Sequence, residues 1–482
     1  MVFSSHLFFF YFLPLVLAVY YASPQRLRHL GLTLFSYGFY GWANPWFVLL
    51  MLGTTTVDYA VGLWIAGGFG RHDIPLLAVG GPRTRNQKLA LAVSVVSNLF
   101  LLGFFKYFNF GLDNYNSLVA SLGLSSWHWD TALRVTLPLG ISFYTFQSMS
   151  YTIDVYRGDA RATRNFIDFA CFVSMFPQLV AGPIIRFSEV ADQLRFRTHT
   201  AEKFARGMAM FSVGLAKKIL LANPCGKVAD TVFAAAPAST IDSWYGLTAY
   251  SFQIYFDFSA YSDMAIGLGL MIGFTFAKNF DSPYQSGSIT EFWRRWHISL
   301  STWLRDYLYV PLGGNRRGTA RTYANLAVVM LLGGLWHGAA WTFVIWGAIH
   351  GGMLVIERLR GKASYYEKLP RAARVALTFV LVSLAWVFFR SSDLPSALAF
   401  MGSLFGMGGA HSGSALLGGL LYSPYYLGCF ALAAIVVWCA PQSWDWTRRL
   451  TWQRAVVCTG LLWTSLAIMA TQAYNPFIYF IF

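Results

Sequence analysis

The sequence predicts an all-α integral membrane protein, and three observations carry that prediction. Of 482 residues, 56% are hydrophobic and only 12% charged, whereas a soluble chain dresses its surface with about a quarter charged residues. The apolar residues fall in long runs, many close to the ~20 residues a helix needs to cross a bilayer. The basic residues fall between those runs, in RLRH (26–29), RTRNQK (83–88), RGDARATR (157–164), RFRTHTAEKFAR (195–206), RRGTAR (316–321) and RRLTWQR (448–454). The formal net charge of +15 would suit nucleic acid in a soluble protein. Between apolar runs, the excess of Lys and Arg in cytoplasmic loops accounts for it. The expected partner of this surface is membrane lipid, with no nucleic acid.

The elements follow in order. The first run, HLFFFYFLPLVLAVYY (6–21), has no basic residues before it and RLRH after it. That pattern predicts a retained first span with its N-terminus outside, not a cleaved signal. Candidate spans lie near 7–22, 30–46, 47–67, 88–108, 132–155, 203–222, 243–273, 322–336, 340–357, 373–390, 423–440 and 455–475. This gives about ten to twelve transmembrane helices. FACFVSMFPQLVAGP (169–183) carries Pro177 and Pro183 between two basic flanks. It predicts a broken, re-entrant piece, tolerated at membrane depth only where protein or a water cavity encloses it. No internal repeat of the kind many transporters show is present. No linker divides residues 1–482, which read as one membrane domain. The five cysteines form no CxxC pair and give neither a disulfide framework nor zinc spacing.

Ionisable groups inside spans are costly and mark function by default. In SFQIYFDFSAYSDMAIGLGL (251–270), Asp257 and Asp263 are six residues apart, on different faces of one helix. Asp257 either bonds helices together or lines a substrate cavity. The stretch 282–318 holds Glu291, Trp293, Arg294, Arg295, Trp296, His297, Trp303, Arg305 and Asp306, too charged to cross. It is either an interfacial anchor or a partly buried helix that guides a phosphate-bearing donor. His337 stands in LLGGLWHGAAW (331–341), sixteen residues after Arg321. A helix of that length rises about 24 Å, short of the ~30 Å hydrocarbon core, so the histidine sits deep or near the far face. Gly333, Gly334 and Gly338 allow a break and the close approach of a backbone or ligand. A buried, neutral imidazole can serve as a general base; it can equally bond to a neighbouring helix. His350 reads as structural. The spacings of His297, His337 and His350 match no metal signature, so no metal is expected.

Longer blocks settle more. LPLGISFYTFQSMSYTIDVYRGD (137–159), FPQLVAGPIIRFSEVADQL (176–194), QIYFDFSAYSDMAIGLGLMIGF (253–274), NFDSPYQSGSITEFWRRWHISLSTWLRDYLYVPLGGNRRG (279–318) and GGLWHGAAWTFVIWGAIHG (333–351) resemble the membrane-bound O-acyltransferase family. Within it they are most similar to the alginate O-acetyltransferase membrane-subunit branch. The best-matching core covers 130–360, and the resemblance weakens from 395 on. It implies a ring of transmembrane helices with re-entrant helices around a central tunnel. It implies His337 as the catalytic histidine and His297 as a second functional histidine near the cytoplasmic mouth. The donor tunnel would then run past Trp293, Arg294, Arg295, Trp296, Arg305, Trp336 and Asp257. The resemblance further implies no bound cofactor, acetyl-CoA as co-substrate and a multi-pass place in the bacterial inner membrane. Its partner would be a periplasmic SGNH-type acetyltransferase that esterifies an exopolysaccharide such as alginate. Two alternatives stand beside it. One is acylation of cellulose, peptidoglycan or, with D-alanine, teichoic acid. The other is a transporter of donor or polymer without chemistry, against which the missing repeat and the histidine blocks count.

Overall fold

The computed structural model describes residues 1–70, 72–129, 134–235, 239–361, 364–407, 414–472 and 474–478. Among them every regular element is a helix. The chain forms two compact units, Met1–Thr200 with Ile272–Phe274, and Ala201–Met271 with Thr275–Phe482.

The first unit holds α1 (Leu13–Ala22), α2 (Arg28–Gly41), α3 (Trp46–Ala66), α4 (Arg85–Ser121), α5 (Ile141–Arg157), α6 (Phe166–Ser174), α7 (Phe176–Leu179) and α8 (Phe187–Arg195). Its centre is polar. Asp58 of α3, fully buried, accepts hydrogen bonds from Ser94 (2.6 Å) and Asn98 (2.8 Å) of α4 and from Ser148 of α5. One carboxylate thus ties three helices together where apolar packing alone would leave them free to slide against lipid. The stretch 169–183 is broken as its prolines predict. Met175 leaves helical conformation (φ −49°, ψ 112°), and Pro177 takes the first turn of α7, where its missing N–H costs nothing. Every residue from 169 to 185 is buried. Groups freed by the break find partners: Phe176 N–H donates to Ser36 Oγ (3.0 Å), and Gln178 Nε2 donates to the Phe172 carbonyl (2.6 Å).

The second unit is built on α11 (Thr240–Met271), 32 residues and buried along most of its length. Against it lie α9 (Ala201–Ala216) and α10 (Asn223–Ala234), joined through a widened π turn at Lys217–Ala222. Both lysines of that turn reach α11: Lys217 Nζ lies 2.8 Å from Asp263 and Lys218 Nζ 2.7 Å from Asp257. Next come the short helices α12 (Ile289–Arg295) and α13 (Ile298–Leu304), then the antiparallel pair α14 (Thr319–His337) and α15 (Trp341–Leu359). After them follow α16 (Arg371–Arg390), α17 (Leu394–Leu404), α18 (Ser414–Leu421), α19 (Pro424–Cys439), α20 (Ser443–Trp446) and α21 (Trp452–Thr471).

Among the described residues five helices, α3, α4, α15, α16 and α21, are long and apolar enough to cross a bilayer. The protein is an all-α, multi-pass membrane protein. The number is below the ten to twelve expected from apolar runs, and the reason is chemical. The α11 helix has the length but carries Asp257 and Asp263, and the α9–α10 rod carries Lys217 and Lys218. The apolar stretches Phe8–Ala22, Leu394–Leu404 and Pro424–Cys439 are short.

Candidate active site

His337 is the last residue of α14, and Gly338 leaves the helix in extended conformation. The glycines around it do different work. A Cβ on Gly334 would overlap the Phe343 carbonyl, and one on Gly347 would come within 2.5 Å of the Met330 carbonyl, so the α14 and α15 backbones nearly touch. Gly333 opens on a cavity instead, with only Leu304 nearby. The imidazole of His337 is walled by aromatic rings, with centroids at 5.0 Å (Trp336), 5.3 Å (Trp346) and 5.2 Å (Phe389).

His297 lies 6.4 Å from His337, ring centroid to ring centroid. It is fully buried and sits between α12 and α13 with φ +44° and ψ +55°, the left-handed region. A side chain other than glycine is uncommon there and is held only where the surroundings demand it. Burial pushes its imidazole pKa down to about 3, so the ring is neutral.

A cavity of about 570 Å³ ends on His337. Trp293, Arg294 and Arg305 line it, as do Arg358, Trp346 and the hydroxyls of Thr290, Ser301 and Thr302. Its lining includes three guanidiniums; Arg305 is paired with Asp306 (2.7 Å), just outside the lining, and Arg294 and Arg358 leave a field that favours an anion. Behind His337 a second space of about 10 Å³, room for about one water, is closed by Ile254, Phe258, Trp296, Trp386, Phe389 and Ile478. The single imidazole borders both spaces.

The residues singled out in the sequence therefore divide. His337, Trp293, Arg294 and Arg305 share the large cavity. Trp296 lines the small one, and Trp336 packs beside both histidines, 6.2 Å from His297 and 5.0 Å from His337. Arg295 is drawn aside by Glu291 (2.9 Å) and the Asp281 carbonyl (3.1 Å) and borders a separate surface depression. Asp257 lines neither space around His337. It is buried against Lys218, and its other oxygen accepts the Ile478 N–H at 2.7 Å.

Other residues of the site were not evident from sequence. His350 and Glu357, two turns apart on one face of α15, hold α12 in place. Trp293 Nε1 donates to His350 Nδ1 (3.3 Å), and the Glu357 carboxylate accepts the N–H groups of Ile289 and Thr290, both at 2.8 Å. A carboxylate at a helix N-terminus satisfies two unpaired donors and complements the dipole. Away from the site, Lys217–Lys218 carried a signal, two adjacent cations in an apolar run. Arg358 carried none, being one of many basic residues at a helix end.

Comparison with known proteins places these residues in a lineage. The family model of the membrane-bound O-acyltransferases matches residues 159–389, which include His297, His337 and His350. A "Probable alginate O-acetylase" of Pseudomonas putida is 45% identical over the full length of both chains. Its counterpart in Azotobacter vinelandii is 51% identical over 85% of this chain and 79% of its own. A "Peptidoglycan O-acetyltransferase" of Helicobacter pylori is 38% identical over 85% of this chain and 80% of its own.

Proposed function

The chain belongs to the membrane-bound O-acyltransferase family, and from that premise we propose that it relays acetyl groups across the bacterial inner membrane for O-acetylation of an exopolysaccharide, alginate. The donor is acetyl-CoA from the cytoplasm. Its anionic part lies against Arg294, Arg305 and Arg358, and its thioester reaches toward His337. The N-terminus faces the periplasm. There an SGNH-type acetyltransferase accepts the group and passes it to the polymer.

The single observation that carries this reading is the position of His337, one imidazole bordering a large basic cavity on one side and a small closed space on the other. In the transfer, an acceptor hydroxyl gives its proton to a nitrogen of His337 as its oxygen attacks the thioester carbon. A C–O bond forms and the C–S bond breaks. The proton then passes to the leaving thiolate, so that an ester and a free thiol result. His297, neutral and close by, orients the donor. Fixing thioester and hydroxyl in one dry space supplies much of the rate.

The relatives support alginate over peptidoglycan as acceptor system, because the alginate O-acetylases are the more similar and one aligns over its whole length. Transfer of labelled acetyl from acetyl-CoA in membranes tests the proposal. His337→Ala should reduce it by at least about a hundredfold while the protein remains in the membrane at normal amount. Transfer by that variant at the wild-type rate overturns the assignment.

A further inference from the structure

We propose that Asn279 is a positioning residue for the transfer: its side-chain carbonyl fixes His297 as the Nδ1–H tautomer and leaves the Nε2 lone pair for the reacting groups. The proposal rests on the reading that His297 and His337 act on the transferred acetyl group.

Asn279 lies in the extended segment between α11 and α12 and is 1% exposed. Its Oδ1 accepts from Ser299 N–H at 3.2 Å and from Ser299 Oγ at 2.9 Å, and lies 3.3 Å from His297 Nδ1. The backbone N–H of Ser299 can only donate, so the amide atom facing it is the oxygen and not the nitrogen. Ser299 Oγ, also 3.5 Å from Nδ1, gives its one proton to Asn279 Oδ1 at 2.9 Å, so the imidazole nitrogen held against that same oxygen carries a proton of its own. With Nδ1 protonated in a neutral ring, Nε2 is the unprotonated nitrogen. Among the described residues, His297 Nε2 is buried with no hydrogen-bond partner. A buried acceptor left unpaired costs free energy, and one kept beside a reaction centre is free to take a hydrogen bond from a reacting group.

The backbone of Asn279 makes the same arrangement. Its carbonyl accepts the Ile298 N–H at 2.9 Å, so one residue bonds both to the turn and to the ring that the turn carries. This explains how His297 is held at φ +44°, a conformation that costs of order 1–3 kcal/mol when nothing enforces it. The turn sets the ring 6.4 Å from His337, centroid to centroid, and the amide settles which nitrogen is bare.

The test uses the full chain labelled with ¹⁵N-histidine, His297 being assigned by the signals lost in His297→Gln. The expected wild-type spectrum has Nδ1 protonated and Nε2 bare. Asn279→Leu, close in size but without an acceptor, should abolish that signature and lower kcat at least about tenfold with little change in KM, as wrong tautomers do elsewhere. Asn279→Asp keeps an oxygen in place and should recover both the tautomer and most of the rate. An Nε2-protonated His297 in the wild type overturns the proposal, as does an Asn279→Leu enzyme with wild-type kcat. If Asn279→Leu does not fold, the wild-type spectrum alone decides. Full activity in His297→Gln would instead sink the functional reading of that histidine, while the tautomer measurement still reports on the amide.

Discussion

His297 faces Phe258 at 4.6 Å, His337 at 6.4 Å and the neutral side chains of Asn279 and Ser299. With its pKa pushed to about 3 by burial, it stays neutral throughout the range in which enzymes of this kind are assayed. An acid limb in kcat/KM near the ordinary imidazole value of about 6.5 therefore belongs to another group. His297→Asn should lower the rate without moving that limb. The same shift has a consequence for stability. Between about 3 and about 6.5 the unfolded chain binds a proton here that the folded chain refuses, so stability falls as pH falls through that window. A thermal midpoint measured in detergent should drop from pH 7.5 to pH 5, and His297→Asn should reduce the drop.

At the scale of elements, the site depends on one helix holding another. The α15 helix carries neither histidine of the proposed chemistry; besides the cavity-lining Trp346 and Arg358, it holds Glu357 and His350, which fix the start and the indole of α12. Glu357→Gln replaces two charge-assisted bonds with at most one good one, a loss of about 1–3 kcal/mol. Since α12 carries Trp293 and Arg294 while His337 belongs to α14, the variant should raise KM for the donor more than it lowers kcat. Equal losses in both would show that Glu357 acts on the whole site. The break at His337 was legible because its causes are local: Gly338 ends the helix and Gly334 admits the neighbouring backbone, within four residues of the ring. The support of α12 was not. His350 lies 57 residues along the chain from Trp293, and nothing in WGAIHGG announces its partner.

For the whole molecule, the polar interior is what the apolar runs concealed. Runs of hydrophobic residues predict membrane helices, and the all-α membrane fold follows from them. They do not say which acids inside those runs are neutralised, because that depends on distant segments meeting. Asp257 illustrates this. From sequence it read first as glue between helices, paired to an Arg or to indole and tyrosine donors, and only second as a cavity lining. The structure supplies Lys218, from a π turn 39 residues earlier, at 2.7 Å. Removing one member strands a buried charge, so Lys218→Met or Asp257→Leu alone should each destabilise by about 3–5 kcal/mol. The double variant should recover most of that loss, because two matched apolar side chains carry no such charge. Thermal unfolding of the three proteins in detergent measures it; a double variant as unstable as the sum of the singles would show that the pair is not what joins α11 to the rod beside it.

The wall of rings behind His337 has a meaning for the cell that holds the protein. The space there takes no more than about one water, and tryptophan and phenylalanine side chains enclose it. A hydrated ion finds no room, whereas the exchange of one bond for another needs only contact at the ring itself. On the proposed relay, an acetyl group would pass here by exchange of bonds at the ring, and the same wall would keep ions from following it.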